Sequence, residues 1–190
     1  SPYILEMRNV SKTFPGVKAL DQINLRVKRG SVHALMGENG AGKSTTIKML
    51  TGTLYPSSGK LEVNGEIPFK RSINFRKKIS IVVGNKLQLF QDVSAMDYFQ
   101  LIGTLYEVEP AILQERIQEL SNLLNVKDQL YQQVRTLSLG QKMKMEFIAA
   151  SLTSPEILFL DEPTIGLDIQ SKNNISDRKS TRLNSSHLKL

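Results

Sequence analysis

Over much of the chain, apolar residues alternate with polar ones or form short blocks, as they do in β-strands. Tyr3–Val10 and Ala19–Val27 flank a Pro15-Gly16 turn, which predicts two antiparallel strands. A further short strand is predicted at Lys60–Asn64, after a segment rich in turn residues. Three apolar runs with polar ends predict buried parallel strands: Val32–Met36, Ile79–Val83 and Ile157–Leu160.

Between Ser94 and Asp128 the spacing of apolar residues changes to that of helices. Pro110 stands near the predicted start of one helix. The apolar positions expected near one face of that helix are Ile112, Ile117, Leu120, Leu123 and Leu124. We interpret this stripe as the core of a small helical subdomain rather than as a groove for a partner.

The segment Gly37–Ser44 fits the pattern G-x-x-x-x-G-K-S between a predicted strand and a predicted helix that ends near Gly52. Backbone N–H groups and a helix N-terminus then point at one place, which makes an anion site. Lys43 would contribute charge at the β- and γ-phosphates and take part in catalysis, and Ser44 would offer a hydroxyl to Mg²⁺. The residues expected to bind nucleotide are Gly37, Glu38, Asn39, Gly40, Ala41, Gly42, Lys43, Ser44 and Thr45.

Two acids, Asp161 and Glu162, follow the last predicted strand. Open α/β sheets place their ligands at the carboxyl ends of such strands. Asp161 is expected to hold Mg²⁺, and Glu162 is expected to polarise the attacking water as the catalytic carboxylate. The other interpretation is that the pair caps a helix ahead of Pro163.

A second anion site is predicted at Leu137–Gln141, where Ser138 would cap a helix running to about Thr153. No second lysine loop accompanies it. A spare phosphate clamp of this kind suits a protein that also binds the nucleotide held by another subunit.

With these motifs in order, the chain from Ile4 to about Asp168 resembles the ATP-binding subunit of ABC transporters. That family usually has glycine where this chain has Leu139. Leu139, with the segment Asp161–Asp168, is similar to the ATPases of bacterial ABC-2-type exporters. The resemblance implies an α/β, P-loop NTPase (RecA-like) core with a parallel sheet, an N-terminal antiparallel β subdomain and an inserted α-helical subdomain.

The resemblance also implies ligands, partners and a location. ATP and Mg²⁺ would be bound in a head-to-tail dimer with a second ATPase subunit, beside an ABC-2-type membrane permease on the cytoplasmic face of the cell membrane. No nucleic-acid partner is expected. Ser138, Gly140 and Gln141 would contact the nucleotide of the other subunit, and Asp168 would link the two sites. Asp168 could equally cap a helix that begins at Ile169.

Two further residues take their expected roles from the resemblance. Phe14 would stack on adenine, although an aromatic at a strand end is also a common core residue. Asn85 stands where the family has a glutamine that contacts Mg²⁺ and the attacking water, and it is one methylene shorter. Gln88, three residues on, is a second candidate for this role.

The end of the chain is expected to be foreign to the domain. Back-translated, Asp177–His187 resembles a widely used short-read sequencing adapter in one frame. We therefore expect an ABC ATPase domain at 1–176, incomplete at its C-terminus, with a core at 1–88 and 155–176 and a helical subdomain at about 89–154. Residues 177–190 would be unstructured read-through, so His187 is not taken as the histidine with which the family senses the γ-phosphate.

Composition narrows this interpretation only slightly. The chain has 40% hydrophobic and 23% charged residues, which is ordinary for a globular protein. No cysteine is present, which excludes disulfides and thiol-ligated metals within the chain. The net charge is +7, but four of the basic residues lie beyond Ser176, so the charge gives no argument for nucleic-acid binding.

The expected function is therefore ATP binding and hydrolysis that powers export through a separate permease. Two alternatives stay open at this point. One is an ABC-type ATPase of translation or DNA repair, and the other is a fragment that binds nucleotide at most. A GTPase is disfavoured, because no Asn-Lys-x-Asp segment for reading the base is present.

Overall fold

The computed structural model describes residues 2–33, 35, 40–84 and 87–161. These residues form two compact units, the first ending at Ile79 and the second beginning at Ser80. The predicted phosphate loop belongs to the first unit, and the predicted signature segment and Asp161 belong to the second.

A three-stranded antiparallel sheet organises the first unit, with the strand order β2-β1-β3. The strands are β1 (Tyr3–Phe14), β2 (Val17–Lys28) and β3 (Ser58–Val63). Leu5 of β1 lies opposite Val27 on one side and Val63 on the other. The predicted hairpin is confirmed, and β1 continues to Phe14, just before the turn. Register shifts interrupt the hairpin near Asn9 and Gln22, both of which have positive φ.

The described part of the first unit also contains two α-helices, α1 (Lys43–Leu50) and α2 (Ile73–Lys78). A 3₁₀ turn at Pro68–Lys70 precedes α2. Helix α1 packs near β3, and apolar side chains of the sheet and the helices are buried. The core of the unit includes Leu5, Met7, Val10, Met49, Leu50, Val63 and Phe75.

Two paired strands are β4 (Ile79–Val83), which from Ser80 onward belongs to the second unit, and β5 (Ile157–Asp161). The N–H of Gly84, just after β4, donates to the carbonyl of Asp161, the last residue of β5, at 2.9 Å. Because the ends of both strands meet there, the two strands run in the same direction. This arrangement confirms two of the three predicted parallel strands.

Among the described residues of the second unit, three helices follow β4, together with 3₁₀ turns at Lys127–Gln129 and Val134–Thr136. They are α3 (Ala95–Leu105), α4 (Pro110–Leu123) and α5 (Leu139–Leu152). Helix α5 contacts both α3 and α4, and most of its residues from Met143 onward are buried. It is the central helix of the layer, which explains why its apolar residues are not confined to one face.

Two expectations about apolar runs are wrong in part. The described part of the run from Ser31 to Leu35 forms no strand, and Val32 is 52% exposed. A buried parallel strand needs hydrogen-bonded neighbours, and none of the described residues of this run belongs to either sheet. Ala34 and Met36 lie outside the described residues. In α4 the buried positions include Leu113 and Ile117, whereas Ile112 is exposed. Ile117 and Leu124 are buried as predicted, so the predicted stripe is wrong only at its first position, where Leu113 replaces Ile112.

Among the residues that the structure describes, no helix is both long and apolar enough to cross a bilayer.

Candidate functional site

The described end of the phosphate loop is a turn that only glycine fits. Gly40 and Gly42 have φ values of 87° and 80°, in the left-handed region. A Cβ on Gly42 would lie 2.5 Å from Leu20 Cδ2 and 3.0 Å from the carbonyl oxygen of Ala19. The backbone therefore approaches β2 closely and then turns straight into α1. Gly37, Glu38 and Asn39 lie outside the described residues.

Helix α1 begins without a side-chain cap. Its N-cap is Gly42, which has no side chain to accept from the first-turn N–H groups, and the first turn contains no acidic residue. The first turn is held instead through the carbonyl of Gly42, which accepts from the N–H and the hydroxyl of Thr46 at 2.8 and 2.9 Å. No carboxylate of the helix itself opposes an anion at its positive end, where Lys43, Ser44 and Thr45 stand.

Phe14 lies at the end of β1 and is 38% exposed, so it is not a core residue. The Nζ of Lys12 stands over the ring, 5.1 Å from its centroid. The predicted stacking role in adenine binding is compatible with this exposure and stays a prediction.

The signature segment starts α5 with a capping box. The Ser138 hydroxyl accepts from the N–H of Gln141 at 3.2 Å, and the Gln141 side-chain oxygen accepts from the N–H of Ser138 at 2.9 Å. The prediction that Ser138 is an N-cap is confirmed. Leu139 is 53% exposed, and Gly140 and Gln141 are half-buried. The segment is thus accessible at the surface of its unit.

Asp161 closes β5 and is half-buried. Its backbone joins the end of β4 through the Gly84 bond, so the segments that leave both strands start at the same edge. Glu162 and Asn85 follow directly after these strand ends, and both lie outside the described residues, as does Asp168.

The candidate residues therefore form two groups, one in each unit. Phe14 and the loop from Gly40 to Thr45 belong to the first, and Asp161 with Ser138, Gly140 and Gln141 belongs to the second. Within the described ranges, no three His, Cys, Asp or Glu residues are placed to hold a metal ion together. Mg²⁺ prefers oxygen ligands and keeps several waters, so the hydroxyl of Ser44 and the carboxylate of Asp161 fit its chemistry.

One buried acid was missed from the sequence. Glu146 lies on α5, and its Oε1 accepts from the backbone N–H groups of Gln88 and Leu89. Burial raises the pKa of Glu146 above its ordinary value, while these two backbone hydrogen bonds act in the opposite direction. The available signal was a lone charge within an apolar stretch that includes Met143, Met145, Phe147 and Ile148.

A glycine turn that opens a helix, a strand ending in a carboxylate and a separately capped signature helix define a P-loop nucleotide-binding domain. The family model described as ABC transporter matches residues 20–165. The chain belongs to the ABC transporter family, and the matched region contains both the phosphate loop and the signature.

Two curated relatives and one solved structure illustrate this similarity. The chain is 36% identical to the xylose import ATP-binding protein XylG of Thermoanaerobacter pseudethanolicus, over 88% of this chain and 34% of that protein. It is 33% identical to the Nod factor export ATP-binding protein I of Cupriavidus metallidurans, over 95% of this chain and 59% of that protein. The chain thus spans between about a third and three fifths of these two relatives.

The solved structure is described as the ATP-binding subunit of an ABC transporter. It matches with a TM-score of 0.82 and 27% identity, over 92% of this chain and 72% of that one. The predicted fold class, an α/β P-loop NTPase with an antiparallel β subdomain, is confirmed.

Proposed function

We propose that this chain is the nucleotide-binding part of an ATP-hydrolysing subunit that powers an ABC-2-type export system through a separate permease. The observation that carries this proposal is the pair of differently built helix starts, at Gly42 and at Ser138. The first suits an anion held by the chain itself. The second adds an exposed anion site for a nucleotide held by another copy.

Each candidate residue has one role in this proposal. Lys43 and the N–H groups at the start of α1 bind the β- and γ-phosphates of ATP, and Phe14 contacts adenine. Ser44 and Asp161 hold Mg²⁺, with Asn85 as a further candidate ligand. The bound Mg²⁺ neutralises charge on the phosphates. Glu162 accepts a hydrogen bond from the water that attacks the γ-phosphate and orients it.

The second subunit completes each site in this proposal. Ser138, Gly140 and Gln141 of one copy contact the γ-phosphate side of the nucleotide that Lys43 of the other copy holds, and Asp168 links the two sites. The exposure of Ser138 and Leu139 is compatible with this arrangement, because a second copy can reach the start of α5. The dimer works beside its permease on the cytoplasmic face of the membrane.

The proposal that the system exports its substrate rests on the sequence of the signature and on one class of relatives. Leu139, with the segment Asp161–Asp168, resembles ABC-2-type exporters, and one relative is named for Nod factor export. Import is the second candidate, since another relative is named for xylose import. Identifying the permease with which the full-length protein assembles, and the direction in which that permease transports, separates the two candidates.

The catalytic role is tested with Glu162→Gln in the full-length protein. Removing the carboxylate charge should leave ATP affinity within about twofold and lower turnover by about 100-fold or more, a usual range for a positioned base. Binding is measured by calorimetry and turnover by phosphate release. Glu156→Gln, an exchange just before β5, is the control. Unchanged turnover in Glu162→Gln would remove this residue from the chemistry.

A further inference from the structure

The carboxylate of Glu146 makes contacts that the proposed ATP chemistry does not use. The residue is 5% exposed. Its Oε1 accepts from the N–H of Gln88 and from the N–H of Leu89, the latter at 2.7 Å. A buried carboxylate is costly unless hydrogen bonds compensate it. Here the compensation comes from a segment 57 residues away in sequence, the one that follows β4.

The segment after β4 also makes backbone hydrogen bonds to the residues that precede the signature in sequence. The N–H of Val134 donates to the carbonyl of Val93 at 3.0 Å, and the N–H of Arg135 donates to the carbonyl of Gln91 at 2.9 Å. Ser94 and Gln133 form an isolated antiparallel bridge beside these bonds. Residues 88–94 are therefore hydrogen-bonded to the residues just before Leu137–Gln141. Through Glu146 they are also bonded to α5, the helix that the signature begins.

Side-chain packing makes this attachment close. Leu89 is buried, and the Phe90 ring meets the Tyr98 ring edge-on, with centroids 5.3 Å apart. Burial raises the pKa of Tyr98 above its ordinary value, and the charge of Glu146 adds to the shift. The segment is thus seated between α3 and α5.

We infer that Glu146 is a positioning residue that fastens residues 88–91 to α5, so that the signature and the segment after β4 move together. Phosphate binding at Ser138 therefore displaces residues 88–91, and a displacement of residues 88–91 moves Ser138. The inference rests on the proposed function in one respect: Asn85, which precedes this segment in sequence, is a candidate Mg²⁺ ligand in the proposed site.

The test compares three variants of the full-length protein. Glu146→Ala removes the acceptor, Glu146→Gln keeps an acceptor oxygen without the charge, and Glu119→Gln removes an exposed acid from α4 as the control. Amide hydrogen exchange of residues 87–91 is followed without nucleotide, and kcat and KM for ATP are measured in parallel. Thermal unfolding monitors the fold.

Glu146→Ala should speed exchange at Gln88 and Leu89 by about tenfold or more, because each N–H loses its acceptor. We expect kcat to fall by about fivefold or more while KM stays within about twofold, since the phosphate loop is untouched. Glu146→Gln should lie between Glu146→Ala and the parent, and Glu119→Gln should match the parent. A purely structural role would lower the melting temperature without separating kcat from KM.

Three results would overturn the inference: unchanged exchange at Gln88 and Leu89, faster exchange with unchanged kcat, or the same changes in Glu119→Gln. If Glu146→Ala does not fold, the same criteria apply to Glu146→Gln. If the parent protein does not hydrolyse ATP, the proposed function fails by itself. The exchange measurement needs no nucleotide, so it still decides whether Glu146 holds the segment.

Discussion

The starts of α1 and α5 were both predicted as anion sites, yet they are built in opposite ways. Gly42 caps α1 through backbone geometry alone, whereas Ser138 caps α5 with a side chain that already accepts a hydrogen bond from Gln141. At α1, an incoming phosphate meets no competing acceptor from the cap. At α5 it must share or displace the capping contacts.

This difference suggests that the two helix starts bind phosphate in different ways. The glycine-built start suits permanent binding of a nucleotide within one chain. The serine-built start is satisfied in the single chain and can exchange its internal acceptor for an external phosphate. Binding at the second start is therefore expected to be the weaker and more reversible of the two.

The largest expected effect is on the glycine-built start, through Gly42→Ala. The new Cβ would meet Leu20 and Ala19, and the backbone would keep a strained positive φ. Positive φ alone costs about 1–2 kcal/mol, and forced contacts add about 1–3 kcal/mol. Gly65→Ala is the matched control, because Gly65 has φ 76° with nothing within 4 Å of the added Cβ. Chemical denaturation measures the free energy of unfolding of both variants. Equal losses of unfolding free energy would contradict the close approach at Gly42.

A somewhat smaller effect is expected from Lys43→Ala, now on ATP affinity rather than stability. A hydrogen bond to a charged group contributes about 1.5–3 kcal/mol, so affinity should fall by roughly 10- to 100-fold. Lys48→Ala, an exposed lysine of the same helix, is the control. Titration calorimetry, supported by the ATP-induced rise in melting temperature, measures the difference. If both variants bind ATP equally, Lys43 does not hold the phosphates.

The smallest expected effect is at the serine-built start. Ser138→Ala should lower the free energy of unfolding by about 1 kcal/mol, the usual contribution of an N-cap. Ser94→Ala is a close control, since Ser94 caps α3 with the same kind of box, through Asp97. Both variants should lose similar stability, but only Ser138→Ala should weaken ATP-dependent dimer formation, followed by light scattering. If Ser94→Ala weakens dimer formation as much as Ser138→Ala does, Ser138 acts only as an N-cap and does not contact the nucleotide of the other copy.

Local features of the fold could be predicted from the sequence because their causes are local. The left-handed turn at Gly42 and the cap at Ser138 follow from residue type and position within a few residues. The described residues of the run around Val32 form no strand, because strand formation depends on partners that the pattern of the run does not specify. The shift from Ile112 to Leu113 in α4 has the same cause, since packing selects the buried face.

The contact of Glu146 with Gln88 and Leu89 was the least predictable feature of the site. It joins a helix to a segment far away in sequence, and neither end carries a motif that announces the other. The lone charge in an apolar stretch marks the position but not its partner.

The central claim, that each ATP is held between two copies, is tested most directly by mixing two defective variants of the full-length protein. Lys43→Ala and Ser138→Ala are each combined with Glu162→Gln to trap ATP, and the nucleotide retained per dimer is measured. Half of the dimers are mixed and have one site with both residues intact, so about a quarter of all sites should retain ATP as the Glu162→Gln parent does, in addition to what the separate variants retain. Retention no greater than the average of the two separate variants would contradict the claim.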